Sequence, residues 1–376
     1  MRDLISRCAR SLTWPLRPLH RNQRGGIAVL VAVLAGGGVL FGMGALVVDV
    51  GQLYQERAEL QSGADAAALA VAKSCASGTC RPTLAPGYAS ANAKDGAATV
   101  NSVCGSGTLG ICTASNGAIT NCPQLPAAGA NYVDVHTSTR TSSGSTLLPP
   151  VFARTLLGNG SYSGSTVYAC ARASWGGPLA ARTIALTISA CEWDAATLNG
   201  TVFGPPPPYP PNPLPAPSVD QVLVLHTSKT NVTGCSTEPA GADGPGLFGW
   251  TDDQSGNCST YESGGTYTVS TGVAAGNTCQ SLLAAAQANR TLLFIPVYTS
   301  VAGTGQNGTY TLKGFAAFVV TGYHLPSFTA SDWLNPANDC HGSAQCVNGY
   351  FTQGLIASAG TPGGVNLGAT IVTLTG

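Results

Sequence analysis

The sequence predicts an α+β protein in which one long N-terminal helix is followed by disulfide-rich, mostly β domains. Residues 25–48, GGIAVLVAVLAGGGVLFGMGALVV, form an uninterrupted run without any charged side chain. Beyond the helical segment, short stretches with alternating β-branched residues are separated by Gly and Pro, a pattern typical of strands. Twelve of the 13 cysteines also follow the apolar run, and such an even number favours disulfide pairing.

The apolar run predicts a transmembrane helix. As a helix, 24 residues span roughly 36 Å, enough to cross a hydrocarbon core of about 30 Å. A cleaved secretory signal is the alternative, but its apolar core would be shorter and a small-residue cleavage site would follow it. Because this run continues directly into a further helical pattern, an uncleaved anchor is favoured. No later stretch is long and apolar enough for a second crossing.

The charges around the run predict its orientation. Residues 1–24 form a basic tail with six arginines and one acid, Asp3. Since positive charge is retained on the cytoplasmic side, we expect a cytoplasmic tail at 1–24 and an extracytoplasmic region from 49 onward. This places the protein in the cell membrane as a single-pass protein with its C-terminal bulk outside the cytoplasm.

The helix is expected to continue past the membrane as an extension over residues 49–74. Leu53, Leu60 and Ala67 recur every seven residues and form a narrow seam. This seam packs either on the first domain of the chain or along a neighbouring helix. Within the span, Gly38 and Gly42 form a GxxxG pair, which allows two helices to approach closely. Coincidence is the alternative, because the run is rich in Gly and Ala.

Composition divides the remaining chain at a proline-rich stretch. Residues 204–217, GPPPPYPPNPLPAP, predict an extended linker between an α+β domain at 75–203 and a β-rich domain at 218–376. Residues 75–130 show little periodicity and are expected to form loops. Strands are predicted at 132–136, 166–175, 184–188, 221–226, 266–270, 292–298, 310–323 and 365–374, and short helices at 151–157 and 280–288.

Disulfides are the expected use of the cysteines beyond the span. Zinc is the alternative, with Cys340, His341 and Cys346 as its best candidate, but the chain contains no CxxC pair. We therefore predict no metal site and leave the connectivity open, with Cys8 unpaired on the cytoplasmic side. The disulfide candidates are Cys75, Cys80, Cys104, Cys112, Cys122, Cys170, Cys191, Cys235, Cys258, Cys279, Cys340 and Cys346.

Neither an enzyme nor a cofactor is predicted. The chain has no HExxH, GxSxG or P-loop, and the GxGxxG matches at 105–110 and 303–308 do not open helices. Asp252 with Asp253, or Glu192 with Asp194, would suit a glycosidase pair or a calcium site, but solvated turns are the favoured interpretation. Zero net charge with only 9% charged residues gives no electrostatic basis for binding nucleic acid.

The segment at residues 24–74 combines the membrane span with two short motifs, VDVGQLY at 48–54 and LQSGADAAALA at 60–70. It resembles the N-terminal segment of TadG-like (TadE/TadG-like) proteins of the bacterial tight-adherence, Flp-type pilus system. Looser similarities link 133–173 to the pilin-like region that follows the anchor, and 314–351 to cysteine-rich members. The motif positions are Asp49, Gly51, Tyr54, Leu60, Gln61, Ala64, Asp65, Ala66 and Ala67.

This resemblance implies a non-enzymatic, membrane-anchored envelope protein of pilus assembly that acts through protein–protein interactions with pilin-like or pilus-assembly proteins. The alternatives are a tethered extracytoplasmic binding or sensor domain without a pilus role and, third, an exported hydrolase. Two family features are missing. Leu30 and Val31 stand where cleaved pilin-like members carry a glutamate after the processed glycine, and the Asp-x-Ser-x-Ser metal stretch of larger members does not occur.

Overall fold

The computed structural model describes residues 23–112, 122, 124, 126, 129–152, 163–224, 250–251, 256–268, 276–302, 309–341, 345–356 and 360–376. The chain forms two compact units. One, the anchor unit, contains Met1–Tyr54 and Pro149–Ser165; the other, the β-rich unit, contains Gln55–Leu148 and Thr166–Gly376. A long helix followed by a mostly β fold confirms the predicted α+β class.

Helix α1 runs from Gln23 to Ala76, close to the predicted bounds. It is long and apolar enough to cross a membrane, and the large side chains of its first half, such as Leu34 and Leu46, are exposed. In water such a surface would be strongly unfavourable, since burying a single Leu or Val side chain is worth about 1.5–3 kcal/mol. We therefore expect the apolar surface of the first half of α1 to contact an apolar environment rather than water.

The second half of α1 packs on an antiparallel sheet of β1 (Ala98–Gly105), β2 (Asn131–Thr139) and β3 (Tyr168–Pro178). Helix α2 (Ala85–Ala91) adds to the same core. The prediction that residues 75–130 form only loops is wrong, because α2 and β1 lie there. Both elements bury mainly small side chains, which give little periodic signal. The buried residues of α1 are Leu60, Ala64, Ala67, Ala68, Val71 and Ala72.

Strand β10 (Thr309–Leu325) organises the remaining sheet. It pairs antiparallel with β8, β9, β11 and β12, and parallel with β14. Its buried aromatic and β-branched side chains, including Phe318 and Val320, form the largest hydrophobic core with α3 (Ala190–Thr197) and α4 (Asn277–Asn289). The other described strands are β4 (Ala180–Ile184), β5 (Ile188–Ser189), β6 (Gln221–Val224), β7 (Ser259–Ser263), β8 (Thr266–Thr268), β9 (Leu292–Ala302), β11 (Phe328–Ala330), β12 (Cys346–Thr352), β13 (Gly354–Leu355), β14 (Pro362–Leu367) and β15 (Ala369–Leu374).

The predicted boundary at 204–217 differs from the division that the structure makes. Strand β3 pairs with β14 and β15, so strands from both sides of the proline-rich stretch share one sheet. The stretch itself is attached to β12: the Thr352 hydroxyl donates to the Gly204 carbonyl, and the Tyr209 and Tyr350 hydroxyls are hydrogen-bonded. The predicted short helix at 151–157 falls largely outside the described residues.

Cysteine pairs at disulfide distance occur throughout the β-rich unit. Among the pairs whose two cysteines are both described, Cys122–Cys170 and Cys258–Cys279 close the longest loops, with separations of 48 and 21 residues. Cys191 is disulfide-bonded as well, while Cys8 and Cys235 lie outside the described residues. The remaining described pairs are Cys75–Cys80, Cys104–Cys112 and Cys340–Cys346.

Candidate membrane anchor and interaction site

The apolar half of α1 presents an open face around its GxxxG pair. A Cβ atom built at Gly38 or Gly42 would meet no heavy atom within 4 Å. A helix with bare glycine backbone on its surface allows a second helix to approach closely inside a bilayer. The described residues thus leave this face uncovered, and docking of a partner on it remains a prediction.

Asp49 follows the last residue of the apolar run and is held by backbone donors. Its carboxylate accepts hydrogen bonds from the N–H groups of Val151, at 2.8 Å, and Phe152, at 3.1 and 3.2 Å. All three residues belong to the anchor unit. Sequence reasoning assigned Asp49 to the VDVGQLY motif but did not find these donors, which lie about a hundred positions later in the chain.

The second motif, at 60–70, fixes α1 to the sheet. Leu60 and Ala64 are buried, and the Gln61 amide donates to the Cys170 carbonyl of β3 at 3.0 Å and to Asp65 at 2.9 Å. The Thr137 hydroxyl of β2 donates in turn to the Leu60 carbonyl at 3.1 Å. Because helix and sheet are connected by both packing and hydrogen bonds, this motif has a role within the β-rich unit itself.

The other residues of the predicted seam and motifs have mixed surroundings. Ala67 is fully buried in the core between α1 and the sheet, which is the intramolecular packing considered for the seam. Leu53 and Ala66 are half-buried, whereas Gly51 and Tyr54 are exposed. The exposed positions, which lie between the span and the buried segment, are open to a partner.

At Gly63, the backbones of α1 and α2 lie close together. A Cβ atom at this position would lie 2.9 Å from the Ala89 carbonyl oxygen. We therefore expect Gly63→Ala to destabilise the β-rich unit by about 1–3 kcal/mol, because backbone must move to relieve the overlap. Urea unfolding of the detergent-solubilised protein measures this change.

Gly51→Ala is the matched control for that substitution. Gly51 lies in the same helix, and a Cβ atom there meets nothing within 4 Å. Alanine favours a helix interior by about 0.8–1.0 kcal/mol over glycine, so this variant should be neutral or slightly more stable. Equal effects at the two positions would contradict the close packing at Gly63.

A group of potential metal ligands lies on the opposite face of the β1–β3 sheet. Donor atoms of Cys104, Asp134 and His136 lie within 4.8 Å of one another. Cys104 is, however, disulfide-bonded to Cys112, so no thiolate is available, and the Asp134 carboxylate is engaged by Arg172 at 2.6 Å. Burial lowers the pKa of His136 below its ordinary value of 6.5, opposed by the nearby Asp134 charge. The Cys104 sulfur and the Asp134 carboxylate are therefore already engaged within the protein.

Four of the remaining chemical candidates from the sequence, Glu192, Asp194, Cys340 and Cys346, have structural partners. Glu192 forms a capping box with Ser189 at the start of α3, and Asp194 forms an ion pair with Lys313 at 3.3 Å. Cys340 and Cys346, two members of the candidate zinc cluster, are paired with each other. Asp252 and Asp253 lie outside the described residues. The GxGxxG match at 105–110 lies within the loop closed by Cys104 and Cys112, and the match at 303–308 lies outside the described residues.

The structure also contains an acid pair that the sequence did not indicate. The carboxyl groups of Asp220 and Asp332, two residues that are 5% and 2% exposed, interact electrostatically with each other. Burial raises the pKa of Asp220 to about 7, with a further contribution from Asp332, while hydrogen bonds from Thr321 and Asn348 lower it. No local sequence signal joins two single aspartates so far apart in the chain.

Three clefts of the β-rich unit have linings that can be described. The largest has a volume of about 550 Å³ and is lined by the β3 residues Arg172, Trp175 and Gly177 together with residues of the β14 region. A second, of about 530 Å³, lies between the proline-rich stretch and Gln353–Leu355. The third, beside Tyr209, contains Arg290. No acid or histidine lines any of these described clefts, and their surfaces suit contact with peptide backbone or apolar groups.

The described chain thus combines a helix that is long and apolar enough to span a membrane with a disulfide-bearing, mostly β fold. Residues 25–74 match the family described as "Putative Flp pilus-assembly TadE/G-like". This match confirms the resemblance predicted for the N-terminal segment. Comparison with the curated proteins and with the solved structures gives no match.

Proposed function

We propose that this is a non-enzymatic, single-pass membrane protein of tight-adherence pilus assembly that acts by binding pilin-like or pilus-assembly proteins. The match of residues 25–74 to the TadE/G-like family carries this proposal. The open glycine face of α1 supports it, since a helix that only tethered a domain would need no close-packing surface.

The proposed orientation keeps residues 1–24 in the cytoplasm and the β-rich unit outside it. The arginine-rich tail supports this orientation through the positive-inside bias, and the paired cysteines of the β-rich unit suit an oxidising compartment. A non-enzymatic role is supported by the buried Asp220–Asp332 pair, which substrate cannot reach, and by the structural partners of Glu192 and Asp194.

The glycine face gives the test of this function. Gly38→Leu with Gly42→Leu should preserve membrane insertion, because leucine is strongly apolar, but should block close helix approach. We expect normal membrane levels of this variant and loss of the pilin-like or pilus-assembly proteins that co-purify with the wild-type protein in mild detergent. Mass spectrometry of the purified complexes measures the recovery.

Gly37→Leu with Gly44→Leu is the matched control. At 3.6 residues per turn these two glycines lie together on a different face of the same helix, and both are equally open. The control should retain partners. Unchanged recovery with the Gly38/Gly42 variant would favour a tethered binding or sensor domain, and the interaction surface would then lie elsewhere.

A further inference from the structure

An exposed apolar pair lies in the anchor unit, outside the helix itself. Val151 and Phe152 are 53% and 44% exposed and follow Pro149 and Pro150. Residues Pro149–Ser165 group with Met1–Tyr54 rather than with the β-rich unit, although the chain on both sides belongs to that unit. Val151 and Phe152 thus lie beside the anchor helix with exposed apolar side chains.

The hydrogen bonds of Asp49 fix the position of Val151 and Phe152 along the axis of α1. Its carboxylate binds the backbone N–H groups of Val151 and Phe152, and it directly follows Val48, the last apolar residue of the run. In an α-helix each Cα–Cβ bond tilts toward the N-terminus, so the Asp49 side chain reaches back over the end of the run. The backbone of Val151 and Phe152 therefore lies level with the last turn of the span.

The hydrogen bonds of Asp49 suit a place at the edge of hydrocarbon. A carboxylate at this depth is costly unless it is paired or hydrogen-bonded, and the two N–H groups supply such partners. The same bonds satisfy backbone donors of a non-helical segment, which would otherwise be unfavourable where water is scarce. Carboxylate and segment thus stabilise each other at the boundary of the span.

We propose that Val151 and Phe152 insert into the interfacial region of the lipid bilayer beside α1, and that Asp49 holds them there. The bilayer is the expected occupant because Asp49 holds this exposed apolar pair at the end of the span, where Leu46 and Val47 are exposed as well. Phe and Val side chains are suited to the boundary between headgroups and acyl chains. This inference rests on the proposed anchor function of α1.

Quenching by brominated lipids tests this contact. The full-length Phe152→Trp variant is reconstituted into phosphatidylcholine–phosphatidylglycerol vesicles whose lipids carry bromine either high or deep on the acyl chain. Emission from the added tryptophan is obtained by subtracting that of the wild-type protein, which has five tryptophans. We expect loss of the added emission with shallow bromines and its retention with deep ones.

Asp49 variants in the same Phe152→Trp background provide the controls. Asp49→Ala should abolish the quenching of the added tryptophan, whereas Asp49→Asn, which keeps one acceptor oxygen, should retain part of it. Flotation of the vesicles after alkaline extraction reports insertion of α1 separately. Floating protein whose added tryptophan is unquenched overturns the lipid contact, and quenching unchanged by Asp49→Ala overturns the role of Asp49. Failure to float would instead overturn the anchor itself.

Discussion

Replacing Arg172 by methionine should destabilise the β-rich unit by about 3–5 kcal/mol, because it leaves a buried carboxylate without its partner. Arg172 and Asp134 are opposite each other on β3 and β2, with two N–O distances of 2.6 Å, and are 3% and 4% exposed. The guanidinium also donates to the Gln124 carbonyl and lies 5.0 Å from the centre of the Tyr132 ring. The arginine therefore connects two strands and the segment covering them.

Two further variants are compared with Arg172→Met. The first separates the loss of the ion pair from the loss of the arginine side chain, and the second is a control at the surface. Asp134→Leu combined with Arg172→Met removes both charges and should recover much of the stability, since apolar replacement of a whole buried pair is often neutral or stabilising. Arg182→Met, at an exposed position in β4 where the guanidinium binds the Ser259 hydroxyl at 3.2 Å, should change stability by less than about 0.5 kcal/mol.

Urea unfolding of all three variants, followed by far-UV circular dichroism in one detergent, measures these differences. Equal slopes of the transitions would show that the variants expose similar surface on unfolding. A loss of less than about 1 kcal/mol for Arg172→Met would contradict the arrangement, because a surface pair contributes no more than that. A double variant as unstable as the single one would show that the guanidinium matters mainly for its contacts with Gln124 and Tyr132.

The parts of the fold that have a strong local signal were predictable from the sequence. The apolar run and the alanine-rich repeat predicted α1, and the β-branched stretch around Ile295 and Val297 predicted β9. Helix α2 and strand β1 were missed because their buried side chains are mostly alanine, which is equally common in loops of this composition. A periodic pattern is informative only where large and polar residues alternate.

The pairing of β3 with β14 and β15 could not be predicted from local patterns. It joins residues near Ala173 to residues near Leu374, and the proline-rich stretch between them resembles a linker in composition alone. The burial of Asp134 could not be predicted for a similar reason. Alternation in β2 suggests a solvated face, whereas the Cys122–Cys170 bridge and Gln124 lie against that face. Burial of a strand on both sides depends on segments that are distant in sequence.

The second large effect expected is a fall in stability of the β-rich unit as pH rises from about 4 to about 7. Within this window the folded protein keeps a proton on Asp220, whose pKa is raised to about 7, while the unfolded chain has released it at its ordinary value of 3.8. The state with more bound protons loses stability as pH rises, so the folded state is weakened until Asp220 has ionised. The whole difference amounts to at most about 4 kcal/mol.

Burial, together with the neighbouring Asp332 carboxyl, raises the pKa of Asp220 and explains this direction. The Oδ2 atoms of both carboxyls are buried without a donor from the described side chains, so an ionised pair would place two negative charges together. The Oδ1 atom of Asp332 also accepts hydrogen bonds from the backbone N–H groups of Leu334 and Asn335, at 2.8 and 3.0 Å. Asp332→Asn preserves that acceptor and adds an amide donor in place of the second charge.

Chemical unfolding at intervals between pH 4 and pH 8 therefore compares wild type, Asp332→Asn and Asp339→Asn. We expect Asp332→Asn to show a smaller fall and to be more stable than wild type at pH 8, since Asp220 then ionises beside a neutral donor. Asp339→Asn, the same change at a partly exposed site outside the pair, should retain the wild-type fall. If both variants keep the wild-type slope, the Asp332 carboxyl does not contribute to the raised pKa of Asp220. Repetition with a chelator distinguishes a proton from a bound cation, because only a cation between the carboxylates would make the high-pH stability depend on chelation.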